Sequence, residues 1–149
     1  MHSCKKHNPN TGLESGNNYF NFPFDFNVDD NYYIHLLKDK IFLLIEEINP
    51  EIILVSFGFD MHKKDPLSVF HITLKSYEYV FNYLKRFNKV IYLLEGGYND
   101  RVIYNGINKL LKIYGQVLFR DFQYHHFKQR EITITMIGII LLKRESYQK

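Results

Sequence analysis

The sequence predicts an α/β protein built on an open parallel sheet. Two short, unbroken apolar runs read as buried strands. Three amphipathic stretches alternate with them, giving the order helix, strand, helix, strand, helix. Each strand candidate also runs directly into a loop that carries polar, chemistry-bearing residues, as the carboxyl ends of parallel strands do.

The first helix is predicted over residues 32–48. Ile34, Leu37, Ile41, Leu44, Ile45 and Ile48 recur at spacings of three and four, which places them on one face. Asp29 or Asp30 can cap its start, and Pro50 stands where it must end. Ile52-Ile53-Leu54-Val55 follows as a fully buried strand that ends in Ser56, Phe57 and Gly58. A loop runs from Gly58 to about His71. Thr73 then caps a second helix with Leu74, Tyr77, Phe81 and Leu84 on one side. Val90 to Leu94 is the second buried strand. A third helix carries Ile103, Ile107, Leu110, Leu111 and Tyr114, and Gly115 suits its end. Residues 1–31 read as loop and connector. Ile132 to Leu142 reads as a strand or a short buried helix, with its β-branched residues favouring the strand.

With 149 residues, the chain holds at most one domain. Its 46% hydrophobic and 23% charged residues are globular in proportion. The net charge of +3 is spread over scattered pairs such as Lys5-Lys6, Lys63-Lys64 and Lys85-Arg86. No basic stripe interleaves with aromatics, which argues against nucleic-acid binding. Cys4 is the only cysteine, so no intramolecular disulfide forms, and a reducing compartment fits. The polar start shows no secretory signal, and the Ile132–Leu142 run is too short to span a membrane.

Two loops carry candidate chemistry. Gly58-Phe59-Asp60-Met61-His62-Lys63-Lys64-Asp65-Pro66-Leu67 brings two carboxylates and an imidazole to a strand end, ligand types suited to zinc. Glu95-Gly96-Gly97-Tyr98-Asn99 pairs glycines, which admit close backbone approach, with a phenol able to donate to a developing oxyanion. The bland readings stand beside these. Asp60 can hydrogen-bond loop amides, His62 can be an ordinary loop residue, His71 can be structural, and Tyr98 can be a core tyrosine.

The segments VSFGFDMHKKDPL (55–67) and LLEGGYN (93–99), joined by HITLKSY, resemble the paired motifs of the histone deacetylase family. Upstream, NPNTG (8–12) is similar to that family's YPGTG loop, and FNFPF followed by DDNYY to the segment after it. Order and spacing agree over residues 8–114. The LEGGYN form points to the class II and acetylpolyamine amidohydrolase-like branch.

The resemblance implies the C-terminal portion of an open parallel-sheet arginase/deacetylase-like fold, incomplete, over residues 1–116, with 117–149 as an extension. It implies zinc-dependent hydrolysis of acetyl-lysine on histone or other protein tails. It places Asp65 on the metal, Tyr98 on the acetyl carbonyl, and Gly96 and Gly97 along the substrate channel. Asp60 becomes a residue that shapes the loop behind the ligands, and His62 one at the rim. The family's first Asp-x-His ligand pair and its proton-handling His-His pair are not seen upstream of Asn8. His125-His126 stands in the wrong place to replace the latter, and His2, Cys4 and His7 match no ligand spacing. The resemblance therefore implies a deacetylase fragment whose Zn2+ needs residues from elsewhere. The alternatives are a non-catalytic paralogue that binds a partner, such as the missing N-terminal half, along a raw sheet edge, and an acetylpolyamine-type amidohydrolase. Nucleus or cytoplasm is the expected location.

Overall fold

The computed structural model describes residues 14–23 and 27–115, and the backbone of 138–142. The NPNTG segment, the His2/Cys4/His7 group, His125-His126 and all of the expected extension except 138–142 lie outside the described residues.

Helix α1 (Asp30–Leu36) starts where Asp29 Oδ1 accepts the Tyr32 N–H at 2.9 Å, so of the two candidate caps Asp29 is the one used. The helix widens into a π-helical turn at Leu37–Ile41 and continues as α2 (Phe42–Ile48). Asn49 ends it in the left-handed conformation, φ 47°, just before Pro50. Strand β1 (Ile52–Phe57), helix α3 (Leu74–Leu84), strand β2 (Val90–Leu94) and helix α4 (Asp100–Ile113) follow in the predicted order. Thr73 caps α3, accepting the Lys75 N–H, and Asn99 caps α4.

The sheet order is β2-β1-β3, with β3 at Gly138–Leu142. Strands β1 and β2 pair in parallel, with Ile53 opposite Val90 and Phe57 opposite Leu94. Strand β3 pairs antiparallel to β1, with Ile52 opposite Leu142 and Ser56 opposite Gly138. One edge of the sheet is expected to be raw; among the described residues β2 has no further strand beside it, while β3 of the same chain lies beside β1. One expectation does change. The strands are not buried on both faces. Ile53, Val55 and Phe57 are buried, but Ile91 and Leu93 on β2 stay about half exposed. Among the described residues, helix α3 packs on the face that carries Phe57 and Tyr92, so the unbroken apolar runs signal a sheet that presents apolar side chains both ways.

An aromatic cluster fills the covered face. Phe57 meets Phe59, Phe81 and Tyr92 edge-on at 5.5, 5.8 and 5.9 Å between ring centroids. Asp30 fastens α1 to the start of α3. Its carboxylate accepts the Thr73 N–H at 3.0 Å, the Thr73 hydroxyl at 2.6 Å and the Ser76 hydroxyl at 2.5 Å. The fastening holds the end of the 58–73 loop that enters α3.

Candidate active site

The two chemistry-bearing loops meet at the carboxyl ends of β1 and β2, where a parallel sheet places its ligands. They extend the ladder beyond the strands. Glu95 N–H donates to Phe57 O at 2.8 Å, and Phe59 N–H donates to Gly96 O at 2.9 Å. Ser56 Oγ donates to the Glu95 carboxylate across the same junction.

The Asp60 carboxylate packs against the backbone of the glycine loop. A Cβ on Gly58 would stand 2.5 Å from Asp60 Oδ1 and 2.9 Å from the Gly96 backbone, so the crossing needs glycine there. Gly97 has φ +120°, a conformation that side chains other than glycine rarely adopt. Burial pushes the Asp60 carboxyl up, and the neighbouring Asp65 charge adds to this. The backbone amides of Asp60 and Met61 pull the other way without cancelling it. Among the described residues, Asp60 Oδ1 is a buried oxygen with no hydrogen-bond partner. Such an atom costs free energy unless something positive or a donor meets it.

Asp65 is in a different state. It is 5% exposed. Its Oδ1 accepts the Leu67 N–H at 3.0 Å, and its Oδ2 accepts the Tyr98 N–H at 2.6 Å. Both oxygens are committed to backbone amides, one in its own loop and one in the glycine loop. Tyr98 itself is 40% exposed, so its phenol stands at the surface of this junction and is not a core tyrosine. Asn99 joins the loops once more, donating from Nδ2 to Lys64 O at 2.8 Å.

His62 is 5% exposed. Its Nδ1 accepts the Lys64 N–H at 3.1 Å, which leaves the ring proton of the neutral form on Nε2. It lines an open cleft of about 470 Å³ together with Lys63, Lys64, Lys75 and Arg101. Burial, then the charges of Lys64 and Lys63, hold its pKa down. His71 serves the backbone, its N–H donating to Val28 O at 2.9 Å.

Sequence reasoning gave no role to Asn99 or to Lys64 O. An Asn directly after Gly-Gly-Tyr and directly before an apolar-periodic stretch is an N-cap signal that could have marked Asn99. No signal in the sequence marks a backbone carbonyl as its partner.

The fit of this site to a metal follows from the donors. Among the described residues, no three His, Cys, Asp or Glu side chains gather closely enough to hold an ion. A catalytic zinc takes three protein ligands. Asp65 is engaged twice and His62 is turned into its own loop, so one carboxylate, Asp60, retains an unused oxygen. The described residues alone do not fit a zinc site.

The family model described as "Histone deacetylase domain" matches residues 3–114. Among curated relatives, histone deacetylase HDA1 of Candida albicans is 36% identical over 72 residues, which are 47% of this chain and 9% of that protein. Histone deacetylase clr6 of Schizosaccharomyces pombe is 28% identical over 92 residues, 61% of this chain and 23% of that one. This chain thus spans less than a quarter of either relative. Among solved structures, the HDA15 HD domain superposes with a TM-score of 0.69 at 28% identity, covering 77% of this chain and 37% of the other. An acetylpolyamine aminohydrolase from Burkholderia pseudomallei superposes at 0.56 with 21% identity over 64% of this chain and 28% of its own, a likeness of fold alone.

Proposed function

Because the chain belongs to the histone deacetylase family, we propose that it forms part of a zinc-dependent lysine deacetylase site and supplies the Tyr98 phenol and the Asp60 carboxylate. The observation that carries this reading is the junction itself. A half-exposed phenol and a carboxylate with an unused oxygen are brought to the ends of two paired parallel strands.

The roles divide by what each atom has free. The Tyr98 hydroxyl donates to the acetyl carbonyl oxygen and stabilises the charge that gathers there as water attacks. Asp60 offers its unpartnered oxygen to the metal, in place of Asp65, whose oxygens both accept amides. Asp60 would be one of the residues holding zinc, and the chemistry that zinc would supply there is polarisation of the acetyl carbonyl and acidification of water. The remaining ligands and the proton-handling groups have to be supplied from elsewhere. Gly96 and Gly97 keep the backbone low beside Tyr98, so that an acyl chain can reach the phenol. The substrate in this reading is the acetyl-lysine of histone or other protein tails, met in the nucleus or the cytoplasm.

A second reading rests on the half-exposed Ile91, Leu93 and Leu94 of β2, an apolar surface suited to a protein partner. In that case the chain acts as an interaction module. No helix of the described residues is long and apolar enough to cross a membrane.

The test compares hydrolysis of an acetyl-lysine peptide with that of an acetylated diamine by the longest natural protein containing this chain, with its zinc content measured. Turnover of the peptide, lost on chelation and restored by zinc, supports the reading. Asp60→Asn should lower zinc content and rate together. Zinc-loaded protein that leaves the peptide intact overturns it, and faster hydrolysis of the diamine makes the substrate a small acetylated amine.

A further inference from the structure

We infer that Asp65 and Asn99 are positioning residues that fix the backbone of Tyr98, with Asp65 acting through Tyr98 and not as a metal ligand. The phenol's role rests on the reading above; the clamp rests on distances alone.

The need for a clamp follows from the sequence around Tyr98. Two glycines precede it, and the second has φ +120°. A Gly-Gly pair leaves the backbone many conformations, so it cannot by itself hold the following residue in one place. The neighbouring loop supplies what the glycines lack. Before the hinge, Phe59 N–H holds Gly96 O at 2.9 Å. At the tyrosine, Asp65 Oδ2 holds its N–H at 2.6 Å. After it, Asn99 Nδ2 holds Lys64 O at 2.8 Å. The chain is tied on both sides of the Tyr98 side chain and at its own amide.

Both clamping residues are themselves fixed. Asp65 Oδ1 accepts the Leu67 N–H at 3.0 Å, closing a turn over Pro66, whose ring fixes its φ. The carboxylate is 5% exposed, where a charge-assisted bond to an amide is strong and unscreened. Asn99 Oδ1 accepts the Val102 N–H at 3.1 Å at the start of α4, so one end of its amide is fixed to the helix while the other reaches the loop. The backbone that carries the phenol is therefore referred to the helix and to the 58–67 loop, not to the flexible pair beside it. The same loop carries Asp60, so one turn of chain sets both the proposed metal-facing group and the carbonyl donor. Displacing such a donor by about 1 Å costs on the order of a hundredfold in rate.

Asp65→Asn removes the charge and keeps the shape. Asn99→Asp keeps the helix cap and removes the donor to Lys64 O. Amide hydrogen exchange is read at Tyr98, with Val55 as the control, on the full chain. Zinc content, kcat and KM are read on the longest natural protein containing it. In Asp65→Asn, Tyr98 exchange should quicken by about tenfold or more while Val55 exchange is unchanged, as for loss of one strong hydrogen bond. The kcat should fall about tenfold or more with KM and zinc content held, since the loss falls in the transition state. Asn99→Asp should move the same quantities the same way by less.

Unchanged Tyr98 exchange in folded Asp65→Asn overturns the clamp. Loss of zinc with kcat per bound zinc unchanged also overturns it and makes Asp65 a ligand. If Asp65→Asn does not fold, Asn99→Asp decides, and no change in Tyr98 exchange or kcat there refutes the proposal. A wild-type protein without peptide turnover refutes the deacetylase reading and leaves the exchange result to judge the clamp.

Discussion

The ring of Phe59 occupies the space beside Gly106. A Cβ on that glycine would stand 2.2 Å from Phe59 Cε1 and 2.3 Å from Phe59 Cζ. Phe59 is 1% exposed and also packs on Tyr77, 4.9 Å between centroids. Helix α4 therefore approaches the first site loop as closely as a bare backbone allows, and Phe59 carries that contact to Asp60. In an ordinary helix, Gly→Ala stabilises by roughly 1 kcal/mol. Here overpacking of about 1–3 kcal/mol opposes that gain. Gly106→Ala should thus come out neutral to destabilising by up to about 2 kcal/mol in a denaturant melt. A melt that shows the full helix-propensity gain would mean that the ring moves aside freely.

The fastening of α1 to α3 makes a pH prediction. Burial raises the Asp30 carboxyl, but hydrogen bonds from Ser76 and Thr73 outweigh it and leave the pKa below the usual 3.8. A depressed folded pKa means that the stabilisation is fully present above the unfolded value and is lost as pH falls through the folded one. The wild type should therefore lose stability below about pH 4 more steeply than Asp30→Asn. At neutral pH that variant should be less stable by roughly 1–3 kcal/mol, through weakened bonds to Thr73 and Ser76. Parallel acid limbs in urea titrations of the two proteins would remove Asp30 as the cause.

Gly97 adds a backbone prediction at the site. Its φ of +120° strains any ordinary side chain, and a Cβ there would sit 3.0 Å from Phe59 Cβ. Gly97→Ala should cost about 1–3 kcal/mol of stability. It should also quicken exchange at the Phe59 amide, whose bond to Gly96 O adjoins the strained residue. Wild-type stability in that variant would show that the loop can adopt another path.

The helices and both site loops were legible in the sequence because their signals are local. Thr73 and Gly115 mark ends that the structure uses, and the apolar face predicted for α3 became its packed face, whereas in the first helix Tyr33 and Phe42, not Ile34 and Leu44, join Leu37 and Ile45 in the core. The antiparallel seat of β3 on β1 was not legible, because strand direction depends on pairing across about eighty residues. The half-exposure of β2 was missed for a related reason. An unbroken apolar run tells that both faces are apolar, and not whether anything covers them. The state of Asp65 and Asp60 was the least legible part. Motif spacing gives residue types at a strand end, whereas the donors that already occupy each carboxylate oxygen are set by the fold. That depends on the Tyr98 amide, 33 residues away.

The most direct measurement of the central claim is the rate of acetyl-lysine peptide hydrolysis by Tyr98→Phe, with zinc content determined on the same samples. The expected result is a fall in kcat of roughly a hundredfold or more with zinc unchanged, as for removal of one oxyanion donor. An unchanged rate at full zinc occupancy would contradict it, since the phenol would then take no part in the reaction.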